Sequence, residues 1–471
     1  MSDLNQQPGL FDDFDDALVD ESALLNEQLA DSVTQTPKVV PLLSYLTEQH
    51  RVRVVDVKLA ELLSGNNTEH DYDELFYIIL MLCLSQQSQH SCLTLTEVDW
   101  ANPFNLRQSD FTKLEGTVPD TLTPFSDDFT TEAAINYLHA HHSVGDHKPL
   151  QLFNQRLYFS RLAGYEQTLA QRLLTMSERQ LNIDDAVLTE LLTRYFPDNP
   201  TLDIDWQKVA CAVAATKGFS VITGGPGTGK TTTVTKLLAI LQSLYQAAPL
   251  SIKLVAPTGK AAARLTESIL GAKNKLTEIP ADINALIPQS AQTIHRLLGV
   301  KPFTNKFRHD KSNPLHVDVL IIDEASMVDL SLMAKLIEAL PAHARLILLG
   351  DKDQLASVDT GSVMSDLCQG LVLGQTPRYS KARCEQLNKV CFNGNAKLGA
   401  QNQSEFKLAD CIAFLQHSYR FDAQSGIGQL ALAVNTNDRG ILNYVEQHST
   451  QGHFRDVILD YDFVSTPIEK L

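Results

Sequence analysis

A glycine-rich turn joins a short apolar run to a helix-forming segment in the stretch FSVITGGPGTGKTTTVTK, residues 219–236. Its residues Gly224, Gly229, Lys230 and Thr231 fit the pattern G-x-x-x-x-G-K-[ST]. Glycines let successive backbone N–H groups turn toward phosphate oxygens, and the helix that follows places its positive N-terminal end behind them. Because apolar run, turn and helical pattern occur in this order, the stretch predicts a phosphate-binding loop rather than a glycine-rich turn without a ligand.

The loop predicts a contact for each part of a bound nucleoside triphosphate. Lys230 is expected to reach the β- and γ-phosphates, and the hydroxyl of Thr231 is expected to ligate Mg²⁺. The loop residues expected to line the nucleotide are Gly224, Gly225, Pro226, Gly227, Thr228, Gly229, Lys230, Thr231 and Thr232. The use that is made of the nucleotide must be sought elsewhere in the chain.

Three further apolar runs follow the loop, and each of them ends in a polar cluster. Residues 252–256 precede PTGK, residues 317–322 precede DEAS, and residues 345–349 precede GDKDQ. Short runs rich in β-branched residues are typical of strands that are buried on both faces of a parallel sheet. Ligands bind at the carboxyl ends of such strands, so the four polar clusters are expected to form one site.

Two of these clusters contain candidate catalytic side chains. Asp323 is expected to hold Mg²⁺ together with Thr231, and Glu324 to orient or deprotonate the attacking water. Gln354 lies beyond the next strand, where its amide could bond to the γ-phosphate or the water. The alternatives are a solvated turn for the Asp-Glu pair and a surface amide for Gln354.

Six motifs in one order, GGPGTGKTTT, APTGKAAARL, TIHRLLG, VLIIDEASMVD, LLGDKDQLASV and LQHSYRF, resemble the RecD family. Members of this family are superfamily 1 helicases and form the alpha subunit of exonuclease V (RecBCD). The resemblance extends to DWQKVACAVA and, more weakly, to residues 39–170. It implies a bacterial cytoplasmic DNA-repair subunit with ATP and Mg²⁺ as cofactors, RecB-like and RecC-like partners, and 5′ to 3′ movement on single-stranded DNA. The alternative is an ATP-binding architectural or regulatory subunit that does not unwind DNA.

The resemblance also implies roles for individual residues. Gln207 would contact the adenine, and Arg420 would project from a second motor domain onto the γ-phosphate; a surface ion pair is the alternative for Arg420. The side chains implied along the single-stranded DNA path are Thr258, Lys260, Thr293 and His295. His295 could equally be a buried histidine that caps a helix.

The predicted fold is α/β. A RecA-like motor domain, a parallel sheet with helices on both faces, is expected at 190–375, preceded by a small, mainly helical partner-docking domain at 38–165. Residues 376–409 are predicted to form a polar linker. Residues 410–471 are predicted to form the start of an incomplete second RecA-like domain. About fifty residues follow Arg420, without the two further motifs of that domain. We therefore expect a truncated or interrupted chain that binds ATP and Mg²⁺ but has weak DNA-stimulated ATPase activity and no processive unwinding.

Charge is unevenly distributed along the chain. The net charge is −17, and residues 1–37 contain nine acidic residues and no lysine or arginine. We expect this acidic tail to be disordered. Within it, QPGLF resembles the short peptides that bind the bacterial sliding clamp, through Gln7, Leu10 and Phe11. A basic stretch at 301–311 predicts either a DNA-facing hairpin or a solvated linker. The seven scattered cysteines read as reduced and structural.

Overall fold

The computed structural model describes residues 38–65, 73–107, 117–197, 199, 202–304, 306–354, 359–373, 375–399, 407–420, 425–436, 438–450 and 457. They fall into two units, which are described separately below. The first comprises the described parts of Met1–Leu84 and Thr94–Ala140, and the second those of Ser85–Leu93 and His141–Leu471. The proposed clamp-binding peptide lies outside the described residues.

Strands and helices are numbered here in chain order. The strands are β1 (Lys38–Val40), β2 (Cys92–Thr94), β3 (Thr117–Pro119), β4 (Leu150–Phe153), β5 (Arg156–Phe159), β6 (Phe219–Gly224), β7 (Ile252–Ala256), β8 (Gln292–Thr293), β9 (Val319–Ile322), β10 (Arg345–Gly350) and β11 (Ile412–Leu415). The α-helices are α1 (Leu42–Glu48), α2 (Val54–Ser64), α3 (Glu74–Gln87), α4 (Thr131–Ala140), α5 (Ser160–Glu178), α6 (Asp185–Tyr195), α7 (Trp206–Thr216), α8 (Lys230–Leu244), α9 (Gly259–Lys275), α10 (Ala281–Leu286), α11 (Ile294–Leu298), α12 (Leu330–Ala339), α13 (Val363–Leu367), α14 (Lys381–Phe392), α15 (Gly426–Thr436) and α16 (Arg439–Thr450).

The first unit is mainly helical, as expected from the sequence. Helix α3, with the sequence ELFYIILMLCLSQQ, is apolar on every side and is buried over most of its length. A helix of this kind is stable only inside a core, because no face of it suits water. Beside the helices, β1 and β3 form a short parallel pair in which Val39 lies opposite Val118.

The second unit is built on a six-stranded sheet with the order β11-β6-β10-β9-β7-β8. All of its strand pairs are parallel. Alternate residues of β9 enter two different cores: Val319 and Ile321 pack with α6 to α9 and α14, whereas Leu320 and Ile322 pack with α5 and α11 to α13. The sequence prediction of a parallel sheet with helices on both faces is therefore confirmed.

The domain boundaries differ from those expected from the sequence. The first unit ends at Ala140 rather than at residue 165, because β4 and β5 lead directly into α5, which packs against β6 and α12. The guanidinium of Arg172 on α5 donates a hydrogen bond of 3.0 Å to the carbonyl of Leu340, just beyond α12. This helix therefore belongs to the second unit.

The region expected to be a polar linker and the start of a second domain also differs. Residues 376–409 contain α14, whose Leu387 and Val390 are buried in the same core as α7. Strand β11 then pairs with β6, with Ile412 opposite Val221. Strand β11 is apolar, is buried on both faces and forms the outermost strand of the six-stranded sheet. Residues 412–415 therefore do not begin a second sheet.

Candidate nucleotide site

The phosphate-binding loop lies at the carboxyl end of β6, as predicted. Strand β6 ends at Gly224, and α8 begins at Lys230. Gly227 and Gly229 have φ values of 80° and 79°, a left-handed conformation that favours glycine. The Nζ atom of Lys230 donates hydrogen bonds to the carbonyls of Gly224 (2.6 Å) and Gly225 (3.1 Å). The lysine thus lies across the loop, where its ammonium group could move to a phosphate oxygen.

The remaining loop residues differ in exposure. Thr228 is buried, and its hydroxyl donates a hydrogen bond of 2.9 Å to the carbonyl of Gly225, which closes the turn. Thr231 is half-buried at the first turn of α8, whereas Thr232 and Pro226 are exposed. Thr231, the residue predicted to ligate Mg²⁺, therefore lies at the start of α8, directly after the loop.

Gln207 lies beside the loop at the start of α7. Asp205 caps this helix, because its carboxylate accepts hydrogen bonds from the backbone N–H groups of Gln207 and Lys208. The amide nitrogen of Gln207 donates a hydrogen bond of 3.0 Å to the carbonyl of Thr228. A pocket opens here, and its lining includes Leu202, Ile204, Trp206, Gln207, His417 and Tyr419. The aromatic rings of His417 and Tyr419 pack edge to face, with their centroids 4.6 Å apart.

Asp323 and Glu324 follow β9 at the same edge of the sheet. Burial and the neighbouring Glu324 carboxylate raise the pKa of Asp323 to about 6, against the opposing effect of Lys230. Glu324 has a φ of 52°, which turns the backbone away from the strand. Its Oε2 atom is buried and has no hydrogen-bond partner among the described residues. Buried carboxylate oxygens need a cation or a donor, so the pair fits a site that binds a divalent ion and a water molecule.

The GDKDQ cluster begins at Gly350, the last residue of β10, and this strand lies between β6 and β9. Gln354 is exposed, and its backbone N–H donates to the carbonyl of Asp351. Asp351 is buried, and burial raises the pKa of its carboxyl group, with Lys230 opposing the shift. Sequence reasoning named this residue only as part of a polar cluster. It is buried because β10 pairs with β6 on one side and β9 on the other, a pairing that the local sequence does not show.

Arg420 lies over the phosphate-binding loop, but it comes from a different place than expected. It follows β11 of the same sheet by five residues and does not project from a second domain. The backbone N–H of Tyr419 donates a hydrogen bond of 2.9 Å to the carbonyl of Gly227, and a methyl group at Gly227 would overlap Cβ of Arg420. The Arg420 side chain is exposed. The expectation of a cleft-crossing arginine is therefore wrong for the described residues, because β11 itself carries it to the loop.

The residues expected along the DNA path lie at the next two strand ends. Thr258 caps α9 by accepting a hydrogen bond from the backbone of Ala261, and Thr293 caps α11 by accepting one from Arg296. Strands β7 and β8 place these caps side by side, since Ala256 lies opposite Thr293. Lys260 is exposed.

His295 is also exposed, and its ring lies 5.9 Å from that of Phe307. It is therefore not a buried capping residue; Thr293 has that role. Antiparallel bridges join Val300 to Phe307 and Asp310 to Asn313, so the described residues of the basic stretch form short hairpin-like turns, and most of them are exposed to solvent.

The arrangement as a whole defines a P-loop nucleotide-binding domain of the RecA-like type. Residues 207–360 match the family model described as AAA domain, and residues 48–158 match the one described as RecBCD enzyme subunit RecD, N-terminal domain. The chain is therefore RecD-like in its N-terminal part and similar to an AAA domain over the nucleotide site.

Curated relatives agree with this assignment. RecBCD enzyme subunit RecD of Haemophilus influenzae is 45% identical over 280 residues, which are 58% of this chain and 42% of the relative. The subunit of the same name from Buchnera aphidicola (Acyrthosiphon pisum) is 32% identical over 334 residues, 69% of this chain and 53% of the relative. An ATP-dependent RecD2 DNA helicase of Deinococcus radiodurans is 42% identical over 149 residues, 32% of this chain and 18% of the relative. The chain thus spans about half the length of the two RecD subunits.

Two further structural observations bear on the sequence predictions. The seven cysteines all lie among the described residues and are free; six are buried and Cys92 is half-buried. No helix in the described part of the chain is both long and apolar enough to cross a membrane.

Proposed function

We propose that this chain is the ATP-hydrolysing motor of a RecD-like DNA helicase subunit, which couples hydrolysis to 5′ to 3′ movement along single-stranded DNA. The observation that carries the proposal is the sheet order β11-β6-β10-β9-β7-β8. This order brings the loop of Lys230, the Asp323-Glu324 pair, the GDKDQ cluster and Arg420 to one edge, next to the caps at Thr258 and Thr293.

ATP would bind with its phosphates on the loop and its base in the pocket beside Gln207. Lys230 would exchange the carbonyls of Gly224 and Gly225 for phosphate oxygens, while the N–H groups at the start of α8 face the same charge. The two faces of adenine are flat and aromatic, which suits a pocket lined by Leu202, Ile204 and Tyr419. Gln207 would read its polar edge.

Thr231 and Asp323 are the residues that would hold Mg²⁺. The ion, when bound, neutralises charge on the phosphates during transfer. The unpartnered Oε2 atom of Glu324 is available to accept a hydrogen bond from the attacking water, as a base requires. Arg420 would add a second positive group at the loop, where negative charge develops.

DNA would pass over the neighbouring strand ends. Hydroxyl groups, helix N-termini and exposed lysines hold a phosphodiester backbone without reading its sequence. Thr258, Lys260, Thr293 and His295 supply such groups. RecB-like and RecC-like subunits are the proposed partners, a bacterial cytoplasmic complex is the proposed setting, and the peptide at Gln7, Leu10 and Phe11 is proposed to bind a sliding clamp.

Unwinding of tailed duplexes tests the proposal. The chain would be purified with its RecB-like and RecC-like partners, as wild type and as Glu324→Gln, and supplied with ATP and a duplex that carries a 5′ or a 3′ single-stranded tail. Because the partners contain their own activities, the informative quantity is the loss caused by Glu324→Gln. A loss confined to 5′-tailed duplexes supports the proposal. Unchanged unwinding in the variant would favour an architectural or regulatory subunit.

A further inference from the structure

Helix α13 lies beneath two turns of the proposed site. One follows β9 and carries Glu324, and the other follows β10 and leads to Gln354. Its Met364 is fully buried. A methyl group added at Gly350, the last residue of β10, would lie 2.6 Å from the Sδ atom of Met364 and 3.3 Å from the backbone nitrogen of Ser326. Gly350 directly precedes Asp351, and Ser326 lies two residues after Glu324. The thioether therefore fills the space between the strand end that leads to Gln354 and the turn that carries Glu324.

The loop before α13 is held by two backbone hydrogen bonds to other parts of the chain. The backbone N–H of Gly361 donates a hydrogen bond of 2.8 Å to the carbonyl of Gln89, and the carbonyl of Thr360 accepts one of 3.3 Å from Leu330. Gly361 has a φ of 93°, and a methyl group there would lie 2.7 Å from Cβ of Leu330. Only glycine fits this position without moving the start of α12.

The segment that supplies Gln89 is itself anchored in the second unit. The hydroxyl of Ser91 donates a hydrogen bond to the carboxylate of Glu166 on α5, and β2 pairs with β5. Residues 85–93 lie within the stretch that matches the RecD N-terminal model, whereas Gly361 lies just beyond the stretch that matches the AAA domain model. A direct backbone hydrogen bond thus joins a segment within the RecD N-terminal match to the loop before α13.

We propose that Met364 is a positioning residue for ATP hydrolysis, which sets the spacing of the Glu324 turn and the Gln354 strand end, and that Gly361 fixes its helix against residues 85–93. The inference rests on the proposed ATPase function. Met364 is fully buried and acts through its neighbours Gly350 and Ser326. A change in this spacing would alter the chemical step and leave ATP binding on the separate loop at β6 nearly intact.

Truncation of the side chain, with a matched control, tests the idea. Met364→Ala should lower kcat for ATP roughly tenfold, because small misplacements of reacting groups slow chemistry strongly. KM should stay within about twofold of wild type, because the substitution does not change the contacts that bind ATP. Met364→Leu keeps the volume and should restore kcat to within about threefold. Met176→Ala removes an equally buried methionine of the same core on α5, and should leave kcat within about twofold of wild type.

Hydrogen exchange gives a second readout that does not depend on activity. In the nucleotide-free protein, Met364→Ala should speed amide exchange in both 323–329 and 350–354, and Met176→Ala in neither. Gly361→Ala should reproduce the fall in kcat. The inference is overturned if Met364→Ala leaves exchange in both stretches unchanged, or if Met176→Ala lowers kcat as much as Met364→Ala does. A wild-type chain that hydrolyses no ATP would refute the proposed function, and the exchange result would still decide the role of Met364.

Discussion

Replacing Asp323 with asparagine should stabilise the nucleotide-free protein at neutral and alkaline pH. The pKa of Asp323 is raised from 3.8 to about 6, chiefly by burial and then by the charge of Glu324. A raised carboxyl pKa means that the ionised form is disfavoured in the folded state. The stability that the protonated Asp323 carboxyl group contributes is therefore fully present below about pH 4. It is lost as the pH rises through about 6.

The size of the effect follows from the shift. Two pKa units at 1.36 kcal/mol each correspond to a loss of about 3 kcal/mol in the free energy of unfolding at pH 8. At pH 5 Asp323 is largely protonated in the folded state, and about half of this loss applies. Asparagine cannot ionise, but its side-chain oxygen can still accept the hydrogen bond that the backbone of Glu324 donates to Asp323. Asp323→Asn should therefore gain about 3 kcal/mol at pH 8 and about 1.5 kcal/mol at pH 5.

Guanidinium unfolding at pH 5 and pH 8, with a chelator present, measures both values. Asp146→Asn, at an exposed aspartate of the same unit, is the matched control and should change the unfolding free energy by less than about 0.5 kcal/mol. The reasoning is refuted if Asp323→Asn is no more stable than wild type at pH 8, or if its gain is the same at both pH values.

Three further predictions concern single groups of the proposed site and tail. Lys230→Gln should abolish ATP binding and turnover together, whereas Glu324→Gln should keep binding and lower turnover at least a hundredfold, as measured by nucleotide titration and steady-state ATPase; wild-type turnover in Glu324→Gln would identify another base. Arg420→Ala should lower kcat by roughly a thousandfold with little change in KM, and Arg420→Lys should not restore it, because lysine lacks the planar guanidinium fork; restoration by lysine would contradict that role. Leu10→Ala with Phe11→Ala should abolish retention on an immobilised sliding clamp, and failure of the unmutated chain to bind would dispose of the clamp proposal.

The central strands could be predicted because their signal is local. The run at 252–256 forms β7 with the same bounds, and the phosphate-binding loop follows β6 as its pattern requires. An apolar run, a polar strand end and a helical pattern each depend on a few neighbouring residues. The Asp323-Glu324 pair was placed correctly at the sheet edge for the same reason.

What the sequence could not indicate depends on pairing between distant segments. Strand β11 has only four residues, and it joins β6, almost two hundred positions earlier in the chain. Nothing in the local pattern of IAFL distinguishes the edge of this sheet from the first strand of another. The position of Arg420 and the pocket between Leu202 and Tyr419 both follow from that pairing, so both were beyond sequence reasoning.

The burial of polar groups was equally hard to anticipate. Asp351 is buried because its strand lies in the middle of the sheet, although its neighbours Asp353 and Gln354 are exposed. Similarly, α14 reads as part of a polar segment, yet Leu387 and Val390 are buried against α7. In each case the surroundings are supplied by residues far away in the chain.

The rate of ATP hydrolysis with and without single-stranded DNA tests the central claim most directly. Strand binding next to Thr258 and Thr293 should draw the neighbouring catalytic groups onto the phosphate, so hydrolysis should be slow without DNA and faster with it. Glu324→Gln should remove the activity under both conditions and thereby show that it belongs to this site. Equal rates with and without DNA, or stimulation that persists in Glu324→Gln, would contradict the account.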